Sequence, residues 1–124
     1  MMTLPKALIT LSAVVFALIG IAYVIAPALM LSVVAIDSTP TSDFLLRTIG
    51  VALLCAGGFL WAVRDSSARQ LRLVLIALGG YYVLSSVVDL SAYSESVVGI
   101  AAVPSVMIRI AVGAICLIAA ARLT

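Results

Sequence analysis

The sequence predicts an all-α integral membrane protein, a four-helix bundle made by one domain over residues 1–124. Three observations carry this. Hydrophobic residues make up 65% of the 124, while the chain has only 7 Lys and Arg and 5 Asp and Glu. Soluble domains hold about 45–50% apolar and about 25% charged residues, and a domain of this size leaves about 30% of its unfolded surface exposed, so one soluble core has no room for so much apolar side chain. The same composition excludes disorder, which needs low hydrophobicity and high charge. Finally, the uncharged stretches approach or exceed the roughly 20 residues that a helix needs to cross a bilayer.

The first helix is expected at 7–26. Ala7–Ile36 is a run of 30 residues without a charge, too long for the apolar core of a cleaved leader peptide. Pro27 stands just past its end. The second helix is expected at 43–63. Arg47 and Arg64 bracket only 16 uncharged residues, roughly 24 Å of helix against roughly 30 Å of hydrocarbon, so the helix has to extend past one arginine. Thr41, Ser42 and Asp43, after Pro40, offer capping chemistry. The third helix is expected at 71–90, because Arg72 and Asp89 also bracket 16 uncharged residues. The fourth is expected at 104–123, started by Pro104, because proline suits a first turn. A start at Val97 would carry Arg109 to mid-membrane, where estimates of the penalty run from about 2.5 to about 17 kcal/mol.

Several pairs of residues recur at offsets near half the chain length. Ala17-Leu18-x-Gly20 returns as Ala77-Leu78-x-Gly80, Arg47 as Arg109, and Cys55 as Cys116. This pattern suggests one helical hairpin used twice. Small residues such as Ala13, Ala17, Ala52 and Ala56 allow close helix packing, which matters in lipid because the hydrophobic effect does not drive helices together there.

Absences narrow the function classes. With no His, a histidine general base and histidine metal or haem ligands are excluded. A net charge of +2 without a basic stripe argues against nucleic acid as a partner. Cys55 and Cys116 form no CxxC pair and no zinc spacing. Free cysteines of this kind usually pack as small hydrophobes.

Two features ask for more than lipid solubility. Arg47 and Arg109 each fall near a helix N-terminus, where the helix dipole disfavours a cation. One reading is snorkelling and ion pairing, with Asp43 four residues before Arg47; the other is convergence on a bound anion or headgroup. On the third helix Tyr82, Ser85, Ser86 and Asp89 share one face. Lipid would penalise that stripe, so it should face protein, either as an internal hydrogen-bond network or as the lining of a shallow outward cavity. Asp89 is expected to bridge one or both arginines. The candidate ligand-binding residues are therefore Arg47, Asp89, Arg109, Tyr82, Ser85 and Ser86; no catalytic or metal-binding set is identified.

Gly20-Ile-Ala-Tyr23-Val-Ile-Ala-Pro27, then Leu46-Arg47-x-x-Gly50, Gly57-Gly58 and Arg64, form an arrangement that resembles the DoxX-like superfamily of small bacterial four-helix membrane proteins. The resemblance covers most of the chain. It implies a four-helix bundle in the cytoplasmic membrane, and some members of that group are linked to thiol or quinone redox partners. No catalytic motif of the group transfers to residues of this chain. Together these readings favour a non-catalytic membrane protein, either an accessory or assembly subunit of a larger complex or a binder of a lipophilic or anionic molecule. An oligomeric transporter or channel and a quinone-linked redox subunit are the competing readings. No cofactor is expected beyond a bound lipid or quinone, and the expected partners are membrane lipids, a larger membrane complex or further copies of the chain.

Lys6, Arg64, Arg69, Arg72 and Arg122 all fall on one side, so the positive-inside rule places both termini in the cytoplasm. Tyr23, Tyr93 and Trp61 near helix ends suit interfacial positions. A reporter fused after Thr124 is expected to report a cytoplasmic location, and one in the Ser91–Glu95 loop an external one. The reverse pattern would overturn this topology.

Overall fold

The computed structural model describes residues 3–100 and 102–123. It contains α1 (Leu4–Ile25), α2 (Pro27–Val33), α3 (Pro40–Val63), α4 (Ala68–Ser94) and α5 (Ala102–Arg122). Among the described residues there is no strand, and the four long helices are each long and apolar enough to cross a membrane. Their outward faces carry side chains such as Leu18, Leu84 and Ile108, each more than 60% exposed. A monomer in water rarely presents so continuous an apolar surface; acyl chains solvate it.

The helix boundaries follow local chemistry. Proline at position 27 disfavours helical geometry at the residue before it. Ala26 accordingly leaves the helix at φ −132° and ψ 60°, and Pro27 restarts the chain as the short α2, which the spacing of charges does not predict. α3 begins three residues earlier than expected. Its cap is Thr39, whose hydroxyl accepts from the Ser42 N–H at 3.1 Å while the Ser42 hydroxyl accepts from the Thr39 N–H at 2.8 Å. Ser67 and Gln70 form the same reciprocal pair at the start of α4, which therefore begins at Ala68 rather than Leu71 and runs on to Ser94. With 27 residues it spans about 40 Å, longer than the hydrocarbon. α5 starts at Ala102 and keeps Arg109 about two turns inside.

α2 and α4 both end with the next residue but one in left-handed conformation, Ala35 at φ 60° and Ser96 at φ 61°. Ile36 donates to Leu31 O, and Val97 to Ala92 O, closing both ends in the same wrapped geometry. The two loops meet where the Gly99 N–H donates to Val34 O at 2.8 Å.

The long helices lie as two pairs. α1 runs along α3, and α4 along α5, while the pairs approach one another at far fewer points. The close approaches within pairs are made by glycine. A methyl group placed on Gly20 would sit 2.6 Å from Gly50 O, and one on Gly57 2.8 Å from Ala13 O. In the second pair Gly79 packs on Leu117 and the backbone of Gly113. Gly80, which the recurring Ala-Leu-x-Gly pattern pairs with Gly20, has open space around it; the glycine in contact is its neighbour. The core of Ile9, Phe16, Leu60, Leu75, Leu78, Cys116 and Ala120 draws on all four long helices and lies mostly toward the end that carries Lys6, Arg64 and Arg122. At that end Lys6 pairs with Asp65 in the α3–α4 turn, and its hydrogen bond holds the Asp65 carboxyl below the usual carboxylate range. Arg64 stacks on the Trp61 ring at 3.8 Å.

These contacts separate two kinds of glycine. Gly20→Ala is expected to destabilise the fold by about 1–3 kcal/mol, since it drives a methyl into backbone. Gly58→Ala, which meets nothing, is expected to be neutral or to stabilise by up to about 1 kcal/mol through helix propensity. Unfolding titrations in mixed micelles check both, and equal effects would refute the glycine-mediated pairing.

Candidate functional site

The α4 stripe faces protein. Ser86 is fully buried and Tyr82 nearly so, while Ser85 and Asp89 are half-buried. Each has a defined bond. The Tyr82 hydroxyl and the Ser12 hydroxyl lie 2.7 Å apart, a polar link between α4 and α1 and hence between the two helix pairs. The Ser86 hydroxyl donates to Tyr82 O at 2.6 Å and the Ser85 hydroxyl to the same oxygen at 3.2 Å. Both serines thus satisfy their hydroxyls on their own helix, as such residues do where water is scarce.

Asp89 and Arg109 form an ion pair between α4 and α5, through Asp89 Oδ2 and Arg109 Nη2. Arg109 Nη1 also donates to Ser85 Oγ at 3.2 Å and Nε to Ser105 O at 3.4 Å. The spacing explains the meeting. Asp89 stands five residues before the end of α4 and Arg109 seven after the start of α5, so antiparallel neighbours carry them to similar depth, about 8–10 Å from the helix ends. Side-chain exposure is 22% for Arg109 and 38% for Asp89. The pair is therefore screened by protein on one side and open on the other.

What it opens onto is a cleft of about 800 Å³ between the two helix pairs, within the range of small-molecule sites. Along α1 its wall is mainly apolar, with Leu8, Leu11, Val15 and Ile19. Toward the other end Asp89, Arg109, Ser85 and Ser105 form a polar patch beside the apolar Met30, Val33, Val34 and Ile108. Tyr23 from α1 and Tyr81 from α4 bring two phenols within electrostatic reach of the ion pair, and among the described residues neither hydroxyl is hydrogen-bonded within the protein. A second cavity of about 610 Å³ lies between α3 and α4, with a lining almost wholly apolar. Phe16 and Tyr81, in edge-to-face contact at 5.3 Å, belong to the walls of both.

Of the six residues singled out from sequence, Tyr82, Ser85, Asp89 and Arg109 come together on the cleft. Ser86 packs behind it, bonded to its own helix. Arg47 stands apart: it is exposed on α3, outside the cleft lining, with no ion pair among the described residues. Asp43, which its spacing offered as a partner, accepts instead from the Ser38 hydroxyl at 2.7 Å. Asp89 thus bridges one arginine, not two. Cys55 is exposed and Cys116 buried, so the two cysteines occupy different surroundings. Tyr23, Tyr81 and Ser105 are cleft residues that the sequence pattern does not single out. Tyr23 reads as an interfacial aromatic, which only the tertiary arrangement brings to the cleft, whereas Tyr81, four residues before Ser85 and about 40° from it around the helix, borders the stripe and could have been added to it from spacing alone.

Length, apolar composition and a lipid-facing exterior define a multi-pass membrane protein. No protein family, curated protein or solved structure matches the chain.

The ion pair and the exposed arginine differ in a measurable way. Arg109→Gln leaves Asp89 without its counter-charge and is expected to destabilise the protein by about 1–3 kcal/mol. Arg47→Gln is expected to stay within about 0.5 kcal/mol of the parent. Thermal unfolding in one detergent compares them, and a neutral Arg109→Gln would refute a structural role for the pair.

Proposed function

We propose that this is a small non-catalytic membrane protein that binds an amphiphilic, lipid-like molecule in the cleft between its helix pairs. The observation that carries this reading is the polarity gradient of a single cavity, apolar along α1 and charged at the Asp89–Arg109 end. Hydrocarbon prefers the first part because the hydroxyls there, Ser12 and Tyr82, are bonded to each other and the rest of that wall is apolar. A polar head prefers the second because the phenols and the ion pair keep unused donors and acceptors that a bare acyl chain would leave unsatisfied. A purely apolar guest would strand those groups, and a purely polar one would have to displace lipid from the rest.

In this reading the four long helices act as one bundle built from two related hairpins, and the bound molecule fills the space between them. The basic end, with Lys6, Arg64, Arg69, Arg72 and Arg122, faces the cytoplasm, and the cleft's polar end lies toward the outer leaflet of a bacterial cytoplasmic membrane. The resemblance to the DoxX-like group agrees with such a placement. A binder of this kind suits an accessory or assembly subunit as well as a free-standing protein.

The test is extraction in mild detergent followed by native mass measurement. The parent protein is expected to keep an amphiphile. Val15→Trp, which projects a large ring from the cleft wall, is expected to lose it without loss of thermal stability. A parent that emerges with nothing bound, or a Val15→Trp protein that keeps its guest, would contradict the reading. Recovery with larger subunits would favour an accessory role, and a retained quinone a redox-linked one.

A further inference from the structure

We infer that the polar end of the cleft is built for a zwitterionic lipid head, an ammonium joined to a phosphodiester, and discriminates against heads of net negative charge. This assignment rests on the amphiphile-binding reading and specifies its ligand. It begins with charge counting inside the cleft. Asp89 and Arg109 are the only charged side chains that line it among the described residues, and they are paired with each other, so the site is neutral as a whole. An anionic head that sought Arg109 alone would have to draw it from Asp89 and leave a carboxylate without its counter-ion. In surroundings of low dielectric that separation is heavily penalised. A zwitterion brings both charges, so each can add to the pair without breaking it.

The open valences match such a head. A guanidinium has five N–H donors. Ser105 O, Ser85 Oγ and Asp89 Oδ2 take one each, which leaves one N–H on each terminal nitrogen for phosphate oxygens. Asp89 uses only Oδ2 in the pair, and Oδ1 is left to accept from an ammonium. The Tyr23 and Tyr81 hydroxyls can donate to phosphate, and their ring faces attract a cation. The remaining wall, Leu11, Val15 and Ile19, takes the acyl chain. The α3–α4 cavity shares Tyr81 but has no charged side chain among its described lining residues, and offers no head-group site.

The inference is tested by reconstituting the protein in nanodiscs of equal phosphatidylethanolamine and phosphatidylglycerol, then ejecting it in native mass spectrometry and counting the lipids retained. The parent is expected to keep phosphatidylethanolamine over phosphatidylglycerol by about tenfold, the ratio that corresponds to about 1.4 kcal/mol. Asp89→Asn leaves Arg109 as an unopposed cation and is expected to invert that preference, an effect that a merely structural role for Asp89 would not produce. Tyr81→Phe removes only a hydroxyl that has no partner among the described residues, so it is expected to fold as the parent does and to lower phosphatidylethanolamine retention severalfold; it keeps the test decisive should Asp89→Asn fail to fold. Arg47→Gln is expected to keep the parent's selectivity. A parent that prefers phosphatidylglycerol or neither lipid overturns the head-group assignment while leaving amphiphile binding intact. So does an Asp89→Asn protein that folds and keeps the parent's preference, or a Tyr81→Phe protein with unchanged retention. A parent that retains no lipid at all overturns both.

Discussion

Arg109 has to be satisfied by protein, and much of the molecule follows from that. The residue lies about two turns inside a helix whose outer face is hydrocarbon-like, where neither water nor lipid tails supply an acceptor. Its acceptors are Asp89, Ser85 and the Ser105 carbonyl of its own helix, and the first two, both on α4, fix how α5 is placed along α4. Because α4 runs to Ser94 before it turns, Asp89 is held within the helix at the same depth as the arginine. The left-handed residue Ser96 and the Gly99–Val34 hydrogen bond then return the chain over the end of the cleft. An arginine in such a position is costly alone and specific once paired, which is why charged groups in membrane helices mark function or register so often.

A second constraint decides which helices lie together. In lipid the exposed side chains are as well solvated as the buried ones, so burial alone cannot sort the helices. Backbone proximity can. Gly20 meets Gly50, Gly57 meets Ala13, and Gly79 meets Gly113, contacts that only residues without a side chain permit. They produce two tight pairs. Between the pairs the described residues form no matching glycine seam; the links are the core near Lys6, the Ser12–Tyr82 bond with the Phe16 ring contacts beside it, and the Gly99–Val34 bond at the far end. The cleft is the consequence: two stiff pairs joined at one end by packing, in the middle by one hydroxyl bridge and at the far end by the Gly99–Val34 bond leave room beside them, and Tyr82, Ser85 and Asp89 of the polar stripe border that room. The site is thus a by-product of how glycine is distributed, and the polar residues stand where the packing leaves space.

Much of this is legible in the residues alone. Run length locates four spans, because a stretch of uncharged residues as long as Ala7–Ile36 suits a bilayer and little else. The spacing of Tyr82, Ser85, Ser86 and Asp89 identifies the protein-facing side of α4, and Asp89 with Arg109 follows from depth. Helix starts are less accurate, although their signals are present: Thr39-x-x-Ser42 and Ser67-x-x-Gln70 are reciprocal caps, which the spacing of charges does not reveal. The short α2 escapes a reading in which Pro27 only stops a helix, whereas proline also opens helices. Arg47 marks where local pattern runs out. It matches Arg109 in the repeat, yet the first pair has no acidic residue opposite it; the offset from Asp89 falls on Leu29, and Arg47 turns outward. The repeat likewise aligns Gly80 with Gly20, but contact selects Gly79, since a shift of one residue rotates a side chain by about 100°. The part played by Tyr23 depends on how the two pairs sit against each other, which no local pattern encodes, while Tyr81, four residues before Ser85, lies at the edge of the stripe.

The central claim is that a lipid occupies the cleft with its head beside the ion pair. The most direct measurement is of nuclear Overhauser contacts between lipid and the aromatic protons of Tyr23 and Tyr81, with the protein in bicelles whose acyl chains are deuterated. Headgroup protons of the lipid are expected to show cross-peaks to both rings, and far weaker ones to Phe44 on the outer face of α3. Cross-peaks from both rings to water alone would mean that the cleft is a solvent-filled gap between helix pairs and would contradict the account.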